Sequence, residues 1–476
     1  MAPVLVMATI ALWALAYVVT SSGQWGDHLE QFVWAHGVEW GYHKHPPLPT
    51  WMLAAAIAAF GPSIYWADAL GAVCFFGTSW FTWAIARDLL GRPTAALALL
   101  MLSLGHSFTA RASLFNHNSV MLLTVSGTAW CVISALKPGR HGVAWCLAGI
   151  AAALAVLSKY QALVPLAGIV LGAWWAGELA AKRARRGLAL SIAIAAILLA
   201  PHFVWLASHV AALEYATQMG RSLNAAERTW NVCSFLAQQL RFLIGPFLLF
   251  GLLAVAPGRR PDVNTGDEHR QRAWLVGLIA FPLCVTVLTG PLFGIELQNH
   301  WGYQALQFVS VWLARRLRPI APVAGARWIF IALAVHAVLL TLSIADAESP
   351  AGNVKSRVDG RYPAQAFADA VLADWKHDTP CPLRLVVGPS FEAGVVSVYN
   401  GGTAQVLEGG NRMKSPWVAP TALERLGAVY VAADPSTLPN KGVTTVNWMN
   451  VGVATPQGAP SRIYWAIAPP QSCDVP

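Results

Sequence analysis

Charged residues are scarce in this chain of 476 residues. Only 12% are Asp, Glu, Lys or Arg, against about 25% in soluble domains, whereas 56% are hydrophobic. So little charge cannot cover a surface that faces water, which excludes an ordinary soluble protein. The apolar residues also occur in long blocks, such as 143–157 and 187–206, which approach the ~20 residues of a helix that crosses a bilayer.

Several motifs are missing as well. The C-terminal region has no G-x-G-x-x-G or P-loop pattern, no two of the seven cysteines have C-x-x-C spacing, and no internal repeat is visible. The net charge of +9 could suggest nucleic acid, but the basic residues lie in short loops between apolar blocks, where they set membrane orientation. We therefore expect an integral membrane protein without a nucleic-acid partner.

The apolar blocks predict a multi-pass α-helical protein with about eleven membrane-spanning helices. The first block resembles a signal peptide, but it begins without Lys or Arg and no convincing cleavage site follows, so we take it as a spanning helix. The approximate cores of the eleven segments are 3–20, 66–86, 93–109, 118–136, 143–157, 161–178, 188–206, 240–256, 273–291, 302–314 and 327–345.

The loops between these segments differ in basic content. Sixteen Lys and Arg residues lie in one set of loops and only six in the opposite set. The positive-inside rule then places the N-terminus in the cytoplasm and, after an odd number of spans, residues 346–476 outside. The first outer segment, 21–65, is predicted to contain two interfacial helices, 27–36 and 47–60, and a second long outer segment covers 207–239.

Residues 346–476 have a mixed composition that predicts a small extracytoplasmic α/β domain, separate from a transmembrane domain of residues 1–345. Its sheet is expected to be partly parallel. The predicted helices are 364–376, 391–399 and 421–426, and the predicted strands are 383–387, 404–407, 428–432 and 462–467.

Two cysteines stand at the two ends of this strand series. Cys381 precedes the first predicted strand and Cys473 follows the last, so adjacent strands would bring them within the ~7 Å that a disulfide needs. On the oxidising side of the membrane such a bond persists. Cys233, also predicted outside, is a competing partner, and two free thiols are the alternative.

The outer face carries many titratable and amide groups for so hydrophobic a chain. Ionisable groups at membrane depth are costly and generally mark functional sites, so one aqueous pocket is expected to gather them. The candidates are Asp27, His28, Glu30, His43, Lys44, His45, Asn116, His117, Asn118, Lys159 and His300.

Each candidate also has a structural interpretation. Asp27 and Glu30 have the spacing of a capping box, although a residue at a helix start can still face a cleft and act as a base. The prolines after His45 could simply force an extended entry into a helix. Lys159 could reach towards lipid headgroups, and His300 beside a tryptophan could belong to an interfacial aromatic belt.

Asp27, Trp40-Gly41-Tyr42, His45-Pro46-Pro47-Leu48 and Leu157-Ser158-Lys159-Tyr160 together resemble the bacterial branch of glycosyltransferase family 39. This group includes protein O-mannosyltransferases and the lipid A aminoarabinose transferase, which share the GT-C membrane fold. The resemblance covers roughly residues 1–345 in architecture and is sharpest over 25–60.

The resemblance implies a sugar donor on polyprenyl phosphate, presented at the outer face of the bacterial inner membrane to a lipid, glycan or protein acceptor. Asp27 would be the catalytic base in a single displacement with inversion. His45, with Lys44, and Lys159 would contact the donor phosphate as cationic groups.

Two residues depart from the family pattern. Many relatives have Glu after the catalytic Asp, where this chain has His28, and Asp near the outer end of the fourth helix, where it has Asn118. These departures leave open the identity of the sugar and the role of a divalent metal ion.

Other function classes are less consistent with the sequence. A transporter or flippase would place charges at mid-membrane on broken helices, often with internal repeats. Another lipid-linked glycan enzyme, such as a ligase or polymerase, also has large outer loops, but the His45-Pro46-Pro47-Leu48 run downstream of Asp27 argues against it. A membrane anchor for the C-terminal domain would not need so polar a first loop.

Overall fold

A computed structural model of the chain describes residues 2–139, 142–209, 223–255, 267–317, 326–348, 362–454 and 460–473. Helices dominate up to residue 348, and a five-stranded sheet with flanking helices follows. The helices of the first part are α1 (Ala2–Thr20), α2 (Gly26–Trp34), α3 (Leu48–Phe60), α4 (Trp66–Leu90), α5 (Arg92–Ser103), α6 (His117–Ala135), α7 (Gly142–Ser158), α8 (Leu163–Trp175), α9 (Lys182–Ser208), α10 (Ala225–Phe242), α11 (Ile244–Ala254), α12 (Glu268–Phe293, with a π-helical turn at Val276–Ala280), α13 (Tyr303–Arg316) and α14 (Ala326–Glu348).

Within the described residues, six helices are long and apolar enough to cross a membrane, or seven if the bent pair α10–α11 is one span. Each of the eleven predicted segments overlaps a helix, but several are short, so the count of eleven stays a prediction. The long and apolar helices are α1, α4, α6, α9, α12 and residues Trp328–Ala345 of α14.

Two predicted spans have different boundaries in the structure. The segment predicted at 240–256 is the second half of a helix pair that bends by 57° between α10 and α11. Pro246 in the first turn of α11 has no amide proton with which to continue α10, which accounts for the bend. The segment predicted at 93–109 ends as a helix at Ser103, and an irregular stretch then leads to α6.

This irregular stretch is held against α4 by a close backbone contact. A Cβ atom on Gly71 would lie 2.1 Å from the Ser113 carbonyl oxygen, so only glycine permits this approach. The contact fixes the chain three to four residues before α6, next to several polar side chains that line a cavity.

The two short helices predicted in the first outer segment are present as α2 and α3. Each begins at or within one residue of the predicted start. Their placement in the membrane interface remains a prediction. Part of the second outer segment, residues 210–222, lies outside the described residues, and α10 begins immediately after it.

The C-terminal part forms one sheet with strand order β2-β1-β3-β5-β4. Strand β1 pairs in parallel with β2 and β3, whereas β5 pairs antiparallel with β3 and β4. The elements are α15 (Ala364–Asp378), β1 (Leu385–Gly388), α16 (Ser390–Tyr399), β2 (Gln405–Glu408), α17 (Ala422–Leu426), β3 (Ala428–Ala432), β4 (Thr445–Ala454) and β5 (Pro460–Ala468).

Strand β4 was not predicted from the sequence. It contains Asn447 and Asn450, which are unfavourable in strands, and it lies at the edge of the sheet with Val446 and Trp448 largely exposed. Its conformation depends on pairing with β5, a tertiary contact that local preference does not reveal.

The sheet and the first outer segment share one hydrophobic core. Leu29 and Val33 of α2 are fully buried against α16, where a Cβ on Gly394 would lie 3.2 Å from the Leu29 Cβ. Trp34 at the end of α2 is also fully buried in this core. The C-terminal part, although predicted as a separate domain, therefore packs directly on the loop that carries Asp27.

Cys381 and Cys473 form a disulfide, with Cα atoms 5.0 Å apart and a sequence separation of 92. The Trp375 indole N–H donates to the Cys381 carbonyl oxygen at 2.7 Å, which ties this end of the bond to α15. Cys233, the competing partner, is an exposed free cysteine.

Peptide mapping without reductant tests both the disulfide and the side of the membrane. We expect a linked peptide that contains Cys381 and Cys473, because this part of the chain is predicted to face an oxidising compartment. Reduction of the disulfide should lower the free energy of unfolding, by at most about 4–5 kcal/mol for a loop of this length. Two freely alkylated thiols in protein purified without reductant would contradict both the pairing and the outer location.

Candidate active site

A cavity of about 560 Å³ opens beside the start of α2. It collects polar side chains from five separate parts of the chain. The apolar part of its lining consists of Phe75, Leu114, Leu122, Val164 and Val285. The polar and aromatic residues that line it are Asp27, Glu30, Lys44, His45, Ser107, Arg111, Asn116, His117, Asn118, Ser119, Lys159, Tyr160, Gln161, Thr286, Thr289, Gln298, His300, Trp301 and Tyr303.

Asp27 lies in the first turn of α2, and its side chain is exposed towards the cavity. The helix is capped at Trp25 without a side-chain hydrogen bond, so the capping-box interpretation of Asp27 and Glu30 is wrong. Because residues three apart lie on one face of a helix, the two carboxyl groups both line the cavity. A carboxylate with access to solvent and a cleft is suited to accept a proton.

Asn116 connects Asp27 to the start of α6. Its Oδ1 accepts from the backbone N–H groups of Asn118 and Ser119, at 2.8 and 3.0 Å, and so caps the helix. Its Nδ2 is therefore directed outwards, where it donates to Asp27 Oδ2 at 2.7 Å. The helix cap and the orientation of the Asp27 carboxylate depend on the same amide.

Lys159 lies between α7 and α8, and its Nζ donates to Asn118 Oδ1 at 2.7 Å. Burial lowers the pKa of Lys159 to about 8, while the Asp27 carboxylate acts in the opposite direction. The ammonium is directed into the cavity rather than towards a lipid surface, contrary to the headgroup interpretation. Asn118, one of the departures from the family pattern, thus holds this cation.

Lys44 forms an ion pair with Glu30, with 2.5 Å between Nζ and Oε1. Burial raises the pKa of Glu30 to about 7, and Lys44 opposes this shift. Both side chains line the cavity. Glu30 therefore partly neutralises the positive charge that Lys44 presents to a ligand.

His45 lines the cavity next to His117, with ring centroids 4.0 Å apart. Burial holds the pKa of His45 well below its usual range, and the nearby His117, Lys159, Lys44 and His300 act in the same direction. This lowered pKa favours the neutral imidazole, which can still donate one hydrogen bond to a phosphate. The contact of His45 with the donor phosphate, and the charge it carries there, stay a prediction.

His300 also lines the cavity, from the segment before α13. Burial is the main cause that holds its pKa below the usual value, with contributions from Lys159 and Arg111. Trp301 beside it accepts a hydrogen bond at its carbonyl oxygen from Gln161 Nε2 at 2.9 Å. His300 is thus part of the cavity wall and not only of an aromatic belt.

Two predicted site residues do not line the cavity. His28 is fully buried, where its Nε2 accepts from the Phe115 N–H at 2.9 Å and its Nδ1 lies 3.1 Å from Gln24 Oε1. Burial lowers the pKa of His28 to about 3. His43 faces the C-terminal part, with its Nε2 3.5 Å from Glu408 Oε1.

The reason for the error at His28 is helical geometry. Successive residues of an α-helix point about 100° apart, so the neighbour of an outward Asp27 faces inwards. His28 instead supports the backbone one residue before Asn116.

Arg111 is a cavity residue that the sequence did not single out. It lies in the irregular stretch before α6, with its guanidinium 6.0 Å from the centre of the Trp25 ring. In the sequence it is one of a few basic residues in the predicted outer loops, and nothing local indicates that it lines the same cavity as Asp27. Gln161 and Ser107 were missed for the same reason.

Metal binding was left open by the sequence. Among the described residues, no group of three or more His, Cys, Asp or Glu side chains is placed to hold a metal ion. Glu30 is already paired with Lys44. The role of a divalent metal ion therefore stays open.

The chain matches two kinds of known sequence. A family model described as dolichyl-phosphate-mannose-protein mannosyltransferase matches residues 44–205. The lipid A galacturonosyltransferase RgtD of Rhizobium johnstonii is 22% identical over 302 residues, which cover 60% of this chain and 60% of that protein. The match thus spans about 60% of the length of this curated relative.

The fold matches a solved structure. The crystal structure of ArnT from Cupriavidus metallidurans bound to undecaprenyl phosphate aligns with a TM-score of 0.60 and 14% identity, over 98% of both chains. At this identity the match shows the fold. The resemblance expected from the sequence is thus confirmed: this multi-pass membrane protein has the GT-C fold and resembles glycosyltransferase family 39.

Proposed function

We propose that the protein is a membrane glycosyltransferase that moves a sugar from a polyprenyl-phosphate carrier to an acceptor at the outer face of the membrane. The observation that carries the proposal is the cavity in which the exposed Asp27 carboxylate lies with Lys159, Arg111 and Lys44. Glycosyl transfer needs a base for the acceptor and cations for the phosphate leaving group, and the cavity has both.

The reaction is a single displacement. An acceptor hydroxyl oxygen attacks the anomeric carbon, the bond from that carbon to the phosphate oxygen breaks, and Asp27 takes the hydroxyl proton. The electron pair leaves on polyprenyl phosphate, where Lys159 and Arg111 stabilise the charge and neutral His45 donates a hydrogen bond. Attack opposite to the leaving group inverts the anomeric centre.

The known proteins support the donor class. ArnT, which shares the fold, binds undecaprenyl phosphate in its crystal structure, and the family model is named for a dolichyl-phosphate donor. The name of RgtD favours lipid A as the acceptor class over a glycan or a protein. The apolar part of the cavity lining is compatible with a lipid-linked donor.

Mass spectrometry of envelope glycolipids, glycans and proteins from cells with and without this protein tests the function. One sugar-sized mass difference on one class of molecule is expected to disappear in cells without the protein and return on complementation. Unchanged envelope molecules together with altered transport of a small solute would favour the transporter alternative instead.

Replacing Asp27→Asn should lower the transfer rate about 10²-fold or more, the usual effect of losing a general base. Glu39→Gln is the matched control, because Glu39 lies on the same outer segment but does not line the cavity. Both variants should reach the membrane at wild-type levels. Near-normal transfer by Asp27→Asn would exclude Asp27 as the base.

The pKa of Lys159 predicts a pH dependence. Lys159 is charged below about pH 8 and loses its proton above it, so kcat/KM for the donor should fall as the pH rises through this value. Lys159→Arg keeps a charge at all these pH values and should move the fall to higher pH, whereas Lys159→Met should weaken donor use at every pH. An unchanged pH profile in both variants would show that Lys159 does not contact the phosphate.

The substitution Asn116→Ser distinguishes the helix-capping role of Asn116 from its hydrogen bond to Asp27. Serine also caps helices, so thermal stability should stay close to that of the wild type, but the hydrogen bond to Asp27 is lost. We expect kcat to fall about 10-fold, because a small misplacement of a catalytic group is costly. Asn116→Ala should lose stability as well. A normal kcat in Asn116→Ser would show that the Asp27 carboxylate does not need this donor.

A further inference from the structure

One buried acidic residue of the C-terminal sheet lies next to the segment His43–His45. Glu408 is the last residue of β2 and is 5% exposed. Its Oε2 accepts from the Trp34 indole N–H at 3.4 Å, and its Oε1 lies 3.5 Å from His43 Nε2. Both partners belong to the first outer segment, and neither is among the residues that line the cavity.

Trp34 connects Glu408 to the cavity. The Trp34 ring stacks on Tyr42 with centroids 4.9 Å apart, and it meets the rings of His45 and His117 edge-on, at 6.4 and 6.0 Å. Both histidines line the cavity. A shift of the Trp34 ring would therefore move His45 relative to the donor phosphate.

A second contact holds the same segment. The Tyr42 hydroxyl donates to the Gly37 carbonyl oxygen at 2.7 Å, and Trp417 of the C-terminal part packs on Gly37, where a Cβ would lie 2.6 Å from the Trp417 ring. Ser415 Oγ accepts from the Glu408 N–H at 2.9 Å and so orders the loop after β2. Through these contacts, residues 408–417 pack against residues 37–45.

Its carboxyl group makes Glu408 unlike the rest of this interface, whose core is apolar. Burial raises the pKa of Glu408, whereas Lys44, the hydrogen bond from Trp34 and Lys414 act in the opposite direction. A buried carboxylate costs free energy, and an apolar side chain would serve adhesion alone at least as well. The titratable groups around Glu408 are His43, Lys44, Lys414 and Glu30. Two of these, Lys44 and Glu30, form the ion pair in the cavity.

We propose that Glu408 is a positioning residue, through which the C-terminal part holds Trp34 and His43 and so fixes Lys44 and His45 in the cavity. This proposal rests on the proposed function, because it assumes that Lys44 and His45 meet a lipid phosphate. The C-terminal part then supports the donor site through its contacts with the first outer segment, without contacting the donor itself.

The test measures binding of polyprenyl phosphate to the purified full-length protein. Glu408→Gln keeps the size of the side chain and removes its charge, and Glu424→Gln, an exposed acid of the same part, is the control. We expect Kd to rise about 5- to 20-fold in Glu408→Gln and to stay unchanged in Glu424→Gln, with equal melting temperatures. Equal Kd values for wild type and Glu408→Gln would overturn the positioning role.

A double-mutant cycle with Lys44→Met distinguishes positioning from a general structural effect. If Glu408 acts through Lys44, Glu408→Gln should raise Kd less than twofold further in the Lys44→Met background. Because the Trp34 ring also meets His45, the same cycle is run with His45→Ala, and fully additive effects in both backgrounds would overturn the proposal. If Glu408→Gln does not fold, Glu408→Asp, which keeps the charge but shortens the side chain, should raise Kd at least threefold, and an unchanged Kd would overturn it. No binding by the wild type would refute the proposed function instead.

Discussion

A charged side chain at the level of a membrane needs a polar partner, because an isolated charge there is costly. In this protein each of three cavity charges has a named partner: Asp27 has Asn116, Lys159 has Asn118, and Lys44 has Glu30. The two asparagines flank one residue at the start of α6. The start of that helix therefore sets the separation of the acid from the cation, and the rest of the site depends on it.

The surrounding fold serves to hold the start of α6 in place. Gly71 lets α4 approach the backbone at Ser113, and His28 accepts from the backbone of Phe115. The C-terminal sheet packs on α2 from the other side. The cavity thus has polar groups held at helix ends, together with apolar lining residues that suit a lipid. This arrangement explains how a chain with so few charges can concentrate them in one place.

The motifs and the composition were sufficient to predict the main architecture and part of the site. Long apolar blocks mark helices because a bilayer demands them, and the residues Asp27, His45 and Lys159 stand in a recognisable pattern. Other features depend on contacts between distant parts of the chain. Arg111 faces the cavity only because α5 ends early, and β4 exists only because β5 pairs with it. The lowered pKa of His45 follows from burial, which a sequence does not show.

The central claim is that a lipid phosphate binds in the cavity beside Asp27. A cryo-electron microscopy structure of the protein with polyprenyl phosphate tests it most directly. The account predicts the phosphate within hydrogen-bonding distance of Lys159 Nζ, with the lipid chain along the apolar part of the cavity lining. A phosphate bound elsewhere on the protein, with this cavity empty, would contradict the account.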